Sequence, residues 1–318
     1  MLTTSDTSGS ALEVRNITKR FGSFTAVRDV NFTVARGEVC GFIGPNGAGK
    51  TTTMRICATL ELPDTGDVFI GGHSVLEEPR LARQQLGFMP DSFGAYAATT
   101  VTEYLDFFAR AYGLKGAQRA RTIAEVMEFT SLGPLADKLT SSLSKGMKQR
   151  MCLAKTLLHD PALLILDEPA SGLDPRARVE LRELVRALAE MGKAVLISSH
   201  ILTELAEVCD SVAVIEAGRL MANGRVDEVM KGIRPTAELW MRCLAPTDAL
   251  ERFLAERHDV VGVRREGRGV ALEFQGDEGA LAELVAALVR AELKPVEFAP
   301  RETNLEDVFL QLTKGKLQ

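Results

Sequence analysis

The sequence has 318 residues, of which 46% are hydrophobic and 25% charged, a globular composition that allows one large domain or two. The formal net charge of −5 excludes a strongly basic chain, so we expect no nucleic-acid partner. The five cysteines are scattered without a CxxC pair. They give no sign of a disulfide framework or a zinc site, and they predict a reducing, cytoplasmic compartment.

The first ten residues are polar and lack the basic-then-apolar pattern of a signal peptide. Residues 1–10 are therefore predicted to form a disordered tail. A membrane-spanning helix needs about 20 mostly apolar residues. The longest apolar runs, such as Ala162–Leu166, are much shorter, so we expect no membrane-spanning segment in this chain.

Residues 11–231 alternate short apolar runs with amphipathic helical patterns, which predicts an α/β domain with a largely parallel sheet. One predicted helix begins with a capping box formed by Thr100 and Glu103. Another ends before Gly192, a residue type that commonly follows the last turn of a helix. The predicted strands are Val39–Ile43, Leu163–Leu166, Ala194–Ser198 and Val212–Ile215.

Residues 232–318 are predicted to form a second, small α+β domain, with Gly232 and Pro235 marking the boundary. Its pattern is a strand, a helix, two strands paired around Gly267, a helix and a last strand. That β-α-β-β-α-β order is typical of a ferredoxin-like fold. A final helix is predicted to begin at Asn304. We find no phosphate-binding loop or metal-ligand cluster in this part of the sequence, so its role stays open.

The segment after the predicted strand Val39–Ile43 has the spacing of a phosphate-binding loop, GxxxxGK[ST]. It runs from Gly44 to Thr51 as GPNGAGKT. Glycines let successive backbone N–H groups converge on phosphate oxygens, and the helix that follows presents its positive end to them. We expect Lys50 to reach the β- and γ-phosphates and the Thr51 hydroxyl to bind Mg²⁺. The simpler alternative is a glycine-rich turn with an exposed lysine.

Two acids, Asp167 and Glu168, stand at the end of the strand Leu163–Leu166. A buried strand delivers them to the carboxyl edge of the sheet, where α/β folds bind their ligands. Asp167 is predicted to hold Mg²⁺ through its water shell, and Glu168 to orient or deprotonate an attacking water. An acid pair at a strand end more often belongs to a solvated loop, but the preceding phosphate-binding loop favours the catalytic interpretation.

The segment Leu143–Gly146, with the sequence LSKG, leads into a predicted helix. Two interpretations of it stay open. Ser144 is a residue type suited to an N-cap, so the segment can be simply a capped helix. Alternatively, the capped N-terminus binds the γ-phosphate of a nucleotide held by another subunit.

Together these motifs resemble those of the ABC family of ATPases. The loop at Gly44–Thr51, the LSKG segment, the strand ending in LLILDEP, the sequence SGLD at Ser171–Asp174 and the histidine His200 follow that family's order. The resemblance covers residues 12–224 and implies a P-loop NTPase domain with a helical subdomain. It also implies that ATP and Mg²⁺ are bound and that ATP is hydrolysed. Two copies, or this chain and a related ATPase, would enclose two ATP molecules.

The resemblance further implies which residues form the site. Lys50, Glu168 and His200 would be catalytic, with His200 touching the γ-phosphate. Metal contacts would come from Thr51, Asp91 and Asp167. Phe21 occupies the position of an adenine-stacking aromatic, and Asp174 is both an N-cap before Pro175 and a candidate for contact between subunits. The implied nucleotide-binding residues are Phe21, Gly44, Pro45, Asn46, Gly47, Ala48, Gly49, Lys50, Thr51, Thr52, Ser144, Gly146 and Asp174.

Three parts of the sequence depart from the family's usual residues. Asp91 stands where Gln is usual, and because a carboxylate can still bind Mg²⁺, we expect altered coupling rather than lost activity. Lys145 and Met147 replace the usual Gly and Gln, and Lys145 adds a cation near the phosphate. Phe21 replaces the commoner Tyr, and stacking needs only the ring.

The sequence SKGM, the acid at Asp91 and the sequence NLEDVF at Asn304–Phe309 are similar to those of bacterial drug-resistance exporter ATPases of the daunorubicin/doxorubicin type. That branch implies a separately encoded integral-membrane permease, a peripheral location on the inner face of the cell membrane, and export of a drug, lipid, polysaccharide or ion. Two alternatives are a soluble ABC ATPase acting on ribosomes or DNA and a regulatory module without hydrolysis. The single cassette and the net charge disfavour the first, and Glu168 with His200 disfavours the second.

Overall fold

The computed structural model describes residues 9–91, 94, 98–199, 205, 207–233 and 237–300. Contacts divide the chain into two compact units, Met1–Val226 and Asp227–Gln318. The domain boundary predicted after Lys231 stays a prediction. In the described part of the chain, no helix combines the length and the apolar composition that a membrane span requires.

The first unit is built on a six-stranded sheet of order β10-β9-β3-β8-β7-β6. All neighbouring pairs are parallel except β10 with β9. The largely parallel sheet predicted from the sequence is therefore present, and three of the four predicted strands have the predicted bounds. The strands are β3 Val39–Ile43, β6 Leu86–Met89, β7 Leu163–Leu166, β8 Ala194–Ser198, β9 Ser211–Glu216 and β10 Arg219–Arg225.

Every residue of β3, β7 and β8 is buried. Strands of a parallel sheet are covered on both faces, which is why these three appear in the sequence as continuous apolar runs. Their carboxyl ends lie at one edge of the sheet. The chain therefore brings the loop after Ile43, the acids after Leu166 and Ser199 after Ser198 to that edge.

A second sheet of four antiparallel strands, in the order β2-β1-β4-β5, shares one hydrophobic core with the larger sheet. Phe32 of this sheet stacks on Phe42 with ring centroids 5.4 Å apart. None of these strands was predicted from the sequence. They are β1 Ser10–Phe21, β2 Phe24–Ala35, β4 Thr65–Ile70 and β5 His73–Ser74.

Three of the helices that the structure describes in the first unit begin at a residue whose side chain accepts from a free N–H group: Thr100, Ser144 and Asp174. The predicted capping box is present: Glu103 N–H donates to Thr100 Oγ1 at 3.2 Å, and Thr100 N–H donates to Glu103 Oε2 at 2.8 Å. Gly192, at φ 83°, follows the helix that ends at Glu190, as predicted. The helices are α1 Lys50–Cys57, α2 Pro79–Gln84, α3 Val101–Ala111, α4 Gly116–Phe129, α5 Lys145–Leu157 and α6 Pro175–Glu190.

The second unit has the predicted β-α-β-β-α-β order, in an antiparallel sheet with strand order β12-β13-β11-β14. Apolar residues of the sheet and of two helices form its separate core. The predicted helix from Asn304 lies outside the described residues. The elements are α7 Val226–Ile233, which begins at the division between the units, β11 Ala237–Cys243, α8 Thr247–Ala255, β12 Val260–Glu266, β13 Gly269–Phe274, α9 Glu278–Arg290 and β14 Pro295–Pro300.

Candidate functional site

The loop between β3 and α1 has a shape that three of its glycines make possible. A Cβ on Gly44 would lie 2.3 Å from the carbonyl oxygen of Ile215, and one on Gly49 would lie 2.6 Å from that of Ala26. Gly47 and Gly49 have φ angles of 79° and 105°. Side chains are thus excluded where neighbouring backbone closes around the loop, which leaves its backbone N–H groups available to a ligand.

Replacing Gly49 with alanine is expected to destabilise the first unit by about 2 kcal/mol or more. The new side chain would be strained by the positive φ and would also collide with the backbone at Ala26. Gly47→Ala is the matched control, because it has a positive φ with nothing within 4 Å of the added Cβ. Thermal unfolding of both variants measures the difference, and equal unfolding temperatures would show that the close contact at Gly49 is unimportant.

Lys50 is only 7% exposed and lies over its own loop. Its Nζ donates hydrogen bonds to the carbonyl oxygens of Gly44 at 2.7 Å and Pro45 at 3.2 Å. Burial lowers the pKa of Lys50, and the charges of Glu168 and Asp167 oppose that shift. The ammonium is therefore a poorly hydrated cation with acids nearby, positioned where an anion bound by the loop would meet it.

Asp167 is 5% exposed and is fixed on two sides. Its N–H donates to the Met89 carbonyl oxygen at 2.9 Å, and Ser198 Oγ donates to its Oδ1 at 2.8 Å. Burial raises the pKa of Asp167. The hydrogen bond from Ser198 and the charge of Lys50 oppose this rise, whereas the nearby charges of Glu168 and Asp91 add to it. A cation would relieve this crowding of negative charge.

Glu168 adopts a left-handed backbone conformation with φ 49°, which is uncommon for a residue other than glycine. Its N–H donates to Ser198 Oγ at 2.9 Å. Strained backbone conformations of this kind persist when surrounding contacts hold them, and they cluster at functional sites.

A cavity of about 510 Å³ joins these features in one place. Most of the predicted residues of the glycine loop line this cavity, together with the two acids and the exposed Asp91. Ser171, the first residue of the SGLD segment, also lines it, as do Phe24 and Ala26, which were not singled out in the sequence. The lining residues are Phe24, Ala26, Pro45, Asn46, Gly47, Gly49, Lys50, Thr51, Thr52, Asp91, Asp167, Glu168 and Ser171.

The predicted aromatic Phe21 is not among the lining residues. It is 50% exposed, and the Lys19 ammonium lies 5.4 Å from the centroid of its ring. Phe21 and Phe24 pair across the turn between β1 and β2, so the two residues are cross-strand neighbours in the hairpin. Stacking on a nucleotide base by Phe21 stays a prediction, and Phe24 is a second candidate. His200 lies outside the described residues.

Ser144, Gly146 and Asp174 meet at a second cavity of about 130 Å³, which shares no lining residue with the first. Ser144 caps α5 by accepting from Met147 N–H at 3.3 Å, and Asp174 caps α6 by accepting from Ala177 N–H at 2.9 Å, as their residue types predicted. The first turn of α5 carries no acid, so the positive end of that helix is not neutralised by its own side chains.

The residues at the first cavity fit Mg²⁺ in their chemistry. Thr51, Asp91 and Asp167 supply oxygen atoms, the ligands that this hard cation prefers. Among the residues that the structure describes, no group of three His, Cys, Asp or Glu side chains is arranged to hold a metal. A site of this kind is completed by substrate phosphates rather than by protein alone.

Comparison with known proteins assigns the family. The profile of the family described as ABC transporter matches residues 27–171, and one described as AAA domain, putative AbiEii toxin, Type IV TA system, matches residues 139–206. Nod factor export ATP-binding protein I of Paraburkholderia xenovorans is 35% identical over 314 residues, which cover 97% of this chain and 99% of that protein. The chain belongs to the ABC transporter ATP-binding protein family. The predicted family and fold class are confirmed.

Other members of the ABC transporter family are similar over about 70% of this chain. The probable multidrug ABC transporter ATP-binding protein YbhF of Escherichia coli is 39% identical over 220 residues, covering 69% of this chain but only 38% of that protein. A solved structure titled as an ATP binding subunit of an ABC transporter matches with a TM-score of 0.64 and 33% identity, over 70% of this chain and 93% of that one. The family match at residues 27–171 includes the loop, the acids and the capped helix α5.

Proposed function

We propose that this chain binds ATP with Mg²⁺ and hydrolyses it as the ATP-binding subunit of an exporter of the ABC type. The observation that carries the proposal is the first cavity, where the glycine loop, a buried lysine and the acid pair meet. Its volume of about 510 Å³ lies within the range of ordinary small-molecule sites. Incubation of the full-length chain with ATP and Mg²⁺ should release phosphate, and absence of release would contradict the proposal.

Each residue has a distinct part in the proposed reaction. The N–H groups of the loop and the positive end of α1 bind the phosphates, and the Lys50 ammonium exchanges its loop carbonyls for phosphate oxygens. Thr51 and Asp167 would hold Mg²⁺, which would neutralise charge on the phosphates. Glu168 accepts a proton from water as the water oxygen attacks the γ-phosphorus. The bond from that phosphorus to the bridging oxygen breaks, and ADP leaves.

The second cavity supports pairing with another ATPase subunit. Ser144 and Gly146 do not line the cavity that contains Lys50, so one chain does not bring its α5 N-terminus to its own phosphate loop. The segment Ser171–Asp174 connects the two cavities, because Ser171 lines the first and Asp174 the second. We therefore propose a sandwich of two copies, or of this chain and a related ATPase, in which α5 of each faces the phosphates held by the other.

The proposed membrane partner is a separately encoded permease that places the chain on the inner face of the cell membrane. The drug-resistance branch is proposed on the motifs SKGM and NLEDVF, and the transported substrate stays among drug, lipid, polysaccharide and ion. A neighbouring reading frame with about six apolar stretches of membrane length is expected. Co-expression with its product should move the chain to the membrane fraction and stimulate ATP hydrolysis; an unchanged distribution and rate would argue against this partner.

Replacing Asp91 with glutamine is expected to raise the Mg²⁺ concentration needed for half-maximal hydrolysis by about 3- to 10-fold. Asp91 is a carboxylate at the edge of the cavity, and Gln retains its hydrogen-bonding ability but has no charge for the cation. Asp91→Glu, which keeps the charge, is the control. Identical Mg²⁺ dependence and transport in the wild type and the Gln variant would remove any special role for the acid.

A further inference from the structure

Ser198 joins the two acids through one hydroxyl group. It is the last residue of β8 and is fully buried. Its Oγ accepts a hydrogen bond from Glu168 N–H at 2.9 Å and donates one to Asp167 Oδ1 at 2.8 Å. A hydroxyl has a single proton, so donation to the carboxylate leaves its lone pairs for the amide. The direction of both hydrogen bonds is thereby fixed.

The sheet order places this serine between the two halves of the site. Strand β8 lies between β3, which leads into the phosphate loop, and β7, which leads into the acids. Ser198 pairs with Phe42 on one side, and the preceding Ile197 pairs with Leu166 on the other. The Ser198 hydroxyl thus links the end of β8 to Asp167 and Glu168, the two residues that follow the end of β7.

The backbone at Glu168 needs such a contact. With φ 49° the residue is in a strained conformation, and its N–H does not continue the ladder of β7, which ends at Leu166. The Ser198 oxygen satisfies this N–H, while the Ser198 proton satisfies one oxygen of an almost fully buried carboxylate. Loss of the hydroxyl would remove one hydrogen bond from each acid residue at once.

We propose that Ser198 is a positioning residue for hydrolysis. It holds the Asp167 carboxylate toward the cation, and it fixes the Glu168 backbone so that the Glu168 side chain can accept a proton from the attacking water. This inference rests on the proposed ATPase function. Ser198 does not line the nucleotide cavity, so its removal acts on the acids and not on the phosphate loop. The turnover rate should fall, while the binding of ATP should change little.

Ser198→Ala in the full-length chain is expected to lower kcat by about 10- to 100-fold, because small displacements of catalytic groups reduce reaction rates by factors of that size. The KM for ATP should stay within about threefold of wild type. Ser198→Thr keeps the hydroxyl and should restore kcat to within about fivefold of wild type. Ser211→Ala is the matched control: Ser211 is also buried in this sheet and donates to the carboxylate of Glu38, at the first residue of β9 rather than at the last of β8.

Phosphate release, ATP binding and thermal unfolding of the four proteins separate the outcomes. The inference is supported if Ser198→Ala unfolds at about the same temperature as Ser211→Ala yet has a much lower kcat, and if threonine restores the rate. It is overturned if the two alanine variants have equal kcat, if the loss of rate follows a loss of ATP binding, or if a stable threonine variant is as slow as alanine. A wild-type chain that binds but does not hydrolyse ATP would instead refute the proposed function.

Discussion

Replacing Glu168 with glutamine is expected to slow ATP hydrolysis by about 100- to 10,000-fold, the contribution typical of a general base. Glutamine has nearly the same size but does not accept a proton from water at neutral pH. The nucleotide contacts of the glycine loop and Lys50 remain, so ATP should bind with an affinity close to that of the wild type. Phosphate release and equilibrium binding of ATP measure the two effects separately.

The same variant tests pairing of subunits. A chain that binds ATP without cleaving it should accumulate as a dimer with Mg²⁺-ATP, which size-exclusion chromatography detects. Glu13→Gln is a suitable control, because Glu13 is a β1 residue ion-paired with Arg15 and lies outside both cavities. Hydrolysis at the wild-type rate by the Glu168 variant would contradict the catalytic role of Glu168. A variant that stays monomeric at saturating ATP would contradict the proposed pairing of subunits around ATP.

Replacing Lys50 with alanine is expected to weaken ATP binding by about 10- to 100-fold. A hydrogen bond from a charged donor contributes about 1.5–3 kcal/mol, which corresponds to that range of affinity. The Lys50 ammonium is buried beside the loop and beside two acids. In the alanine variant, therefore, no solvated side chain takes its place. Titration calorimetry with ATP gives the dissociation constant, and phosphate release at saturating ATP gives the remaining rate.

Lys193→Ala controls for the loss of a buried lysine. Lys193 is 9% exposed, and its Nζ donates to Asp160 Oδ1 at 2.6 Å and to the Pro161 carbonyl oxygen at 2.8 Å. It precedes β8, whereas Ser198 ends that strand, so it lies at the opposite edge of the sheet from the acids. Equal ATP affinity in the two alanine variants would mean that Lys50 contributes only to stability.

Local signals made much of the fold predictable. Buried parallel strands such as Leu163–Leu166 are continuous apolar runs, and helix starts such as Asp174 before Pro175 are set by residues within one turn. The glycine loop and the acid pair each lie within one short segment. The structure therefore adds little to their recognition, although it shows that they share a cavity.

The small antiparallel sheet was harder to predict because β1 and β2 pair with several register shifts. One shift lies between Val14 and Ile17, where Asn16 has φ 50°, and such irregularities interrupt the alternation of apolar and polar residues. Phe24 was missed because it pairs with Phe21 across the hairpin, and the spacing of the two residues does not specify which of them lines the cavity.

Ser198 was not predictable from spacing at all. It lies 30 residues from Glu168 in the chain, and nothing distinguishes it from other serines of the sequence. Its contact with both acids depends on β8 being inserted between β3 and β7, an arrangement that chain order does not reveal. Contacts of this kind arise from sheet topology, so they become visible only in the folded structure.

The most direct test of the central claim is phosphate release by the wild-type full-length chain, measured together with ATP binding on the same sample. We expect that ATP binds, that phosphate is released only when Mg²⁺ is present, and that release stops when the cation is chelated. Saturating ATP binding by this chain without phosphate release would contradict the assignment of ATP hydrolysis to it.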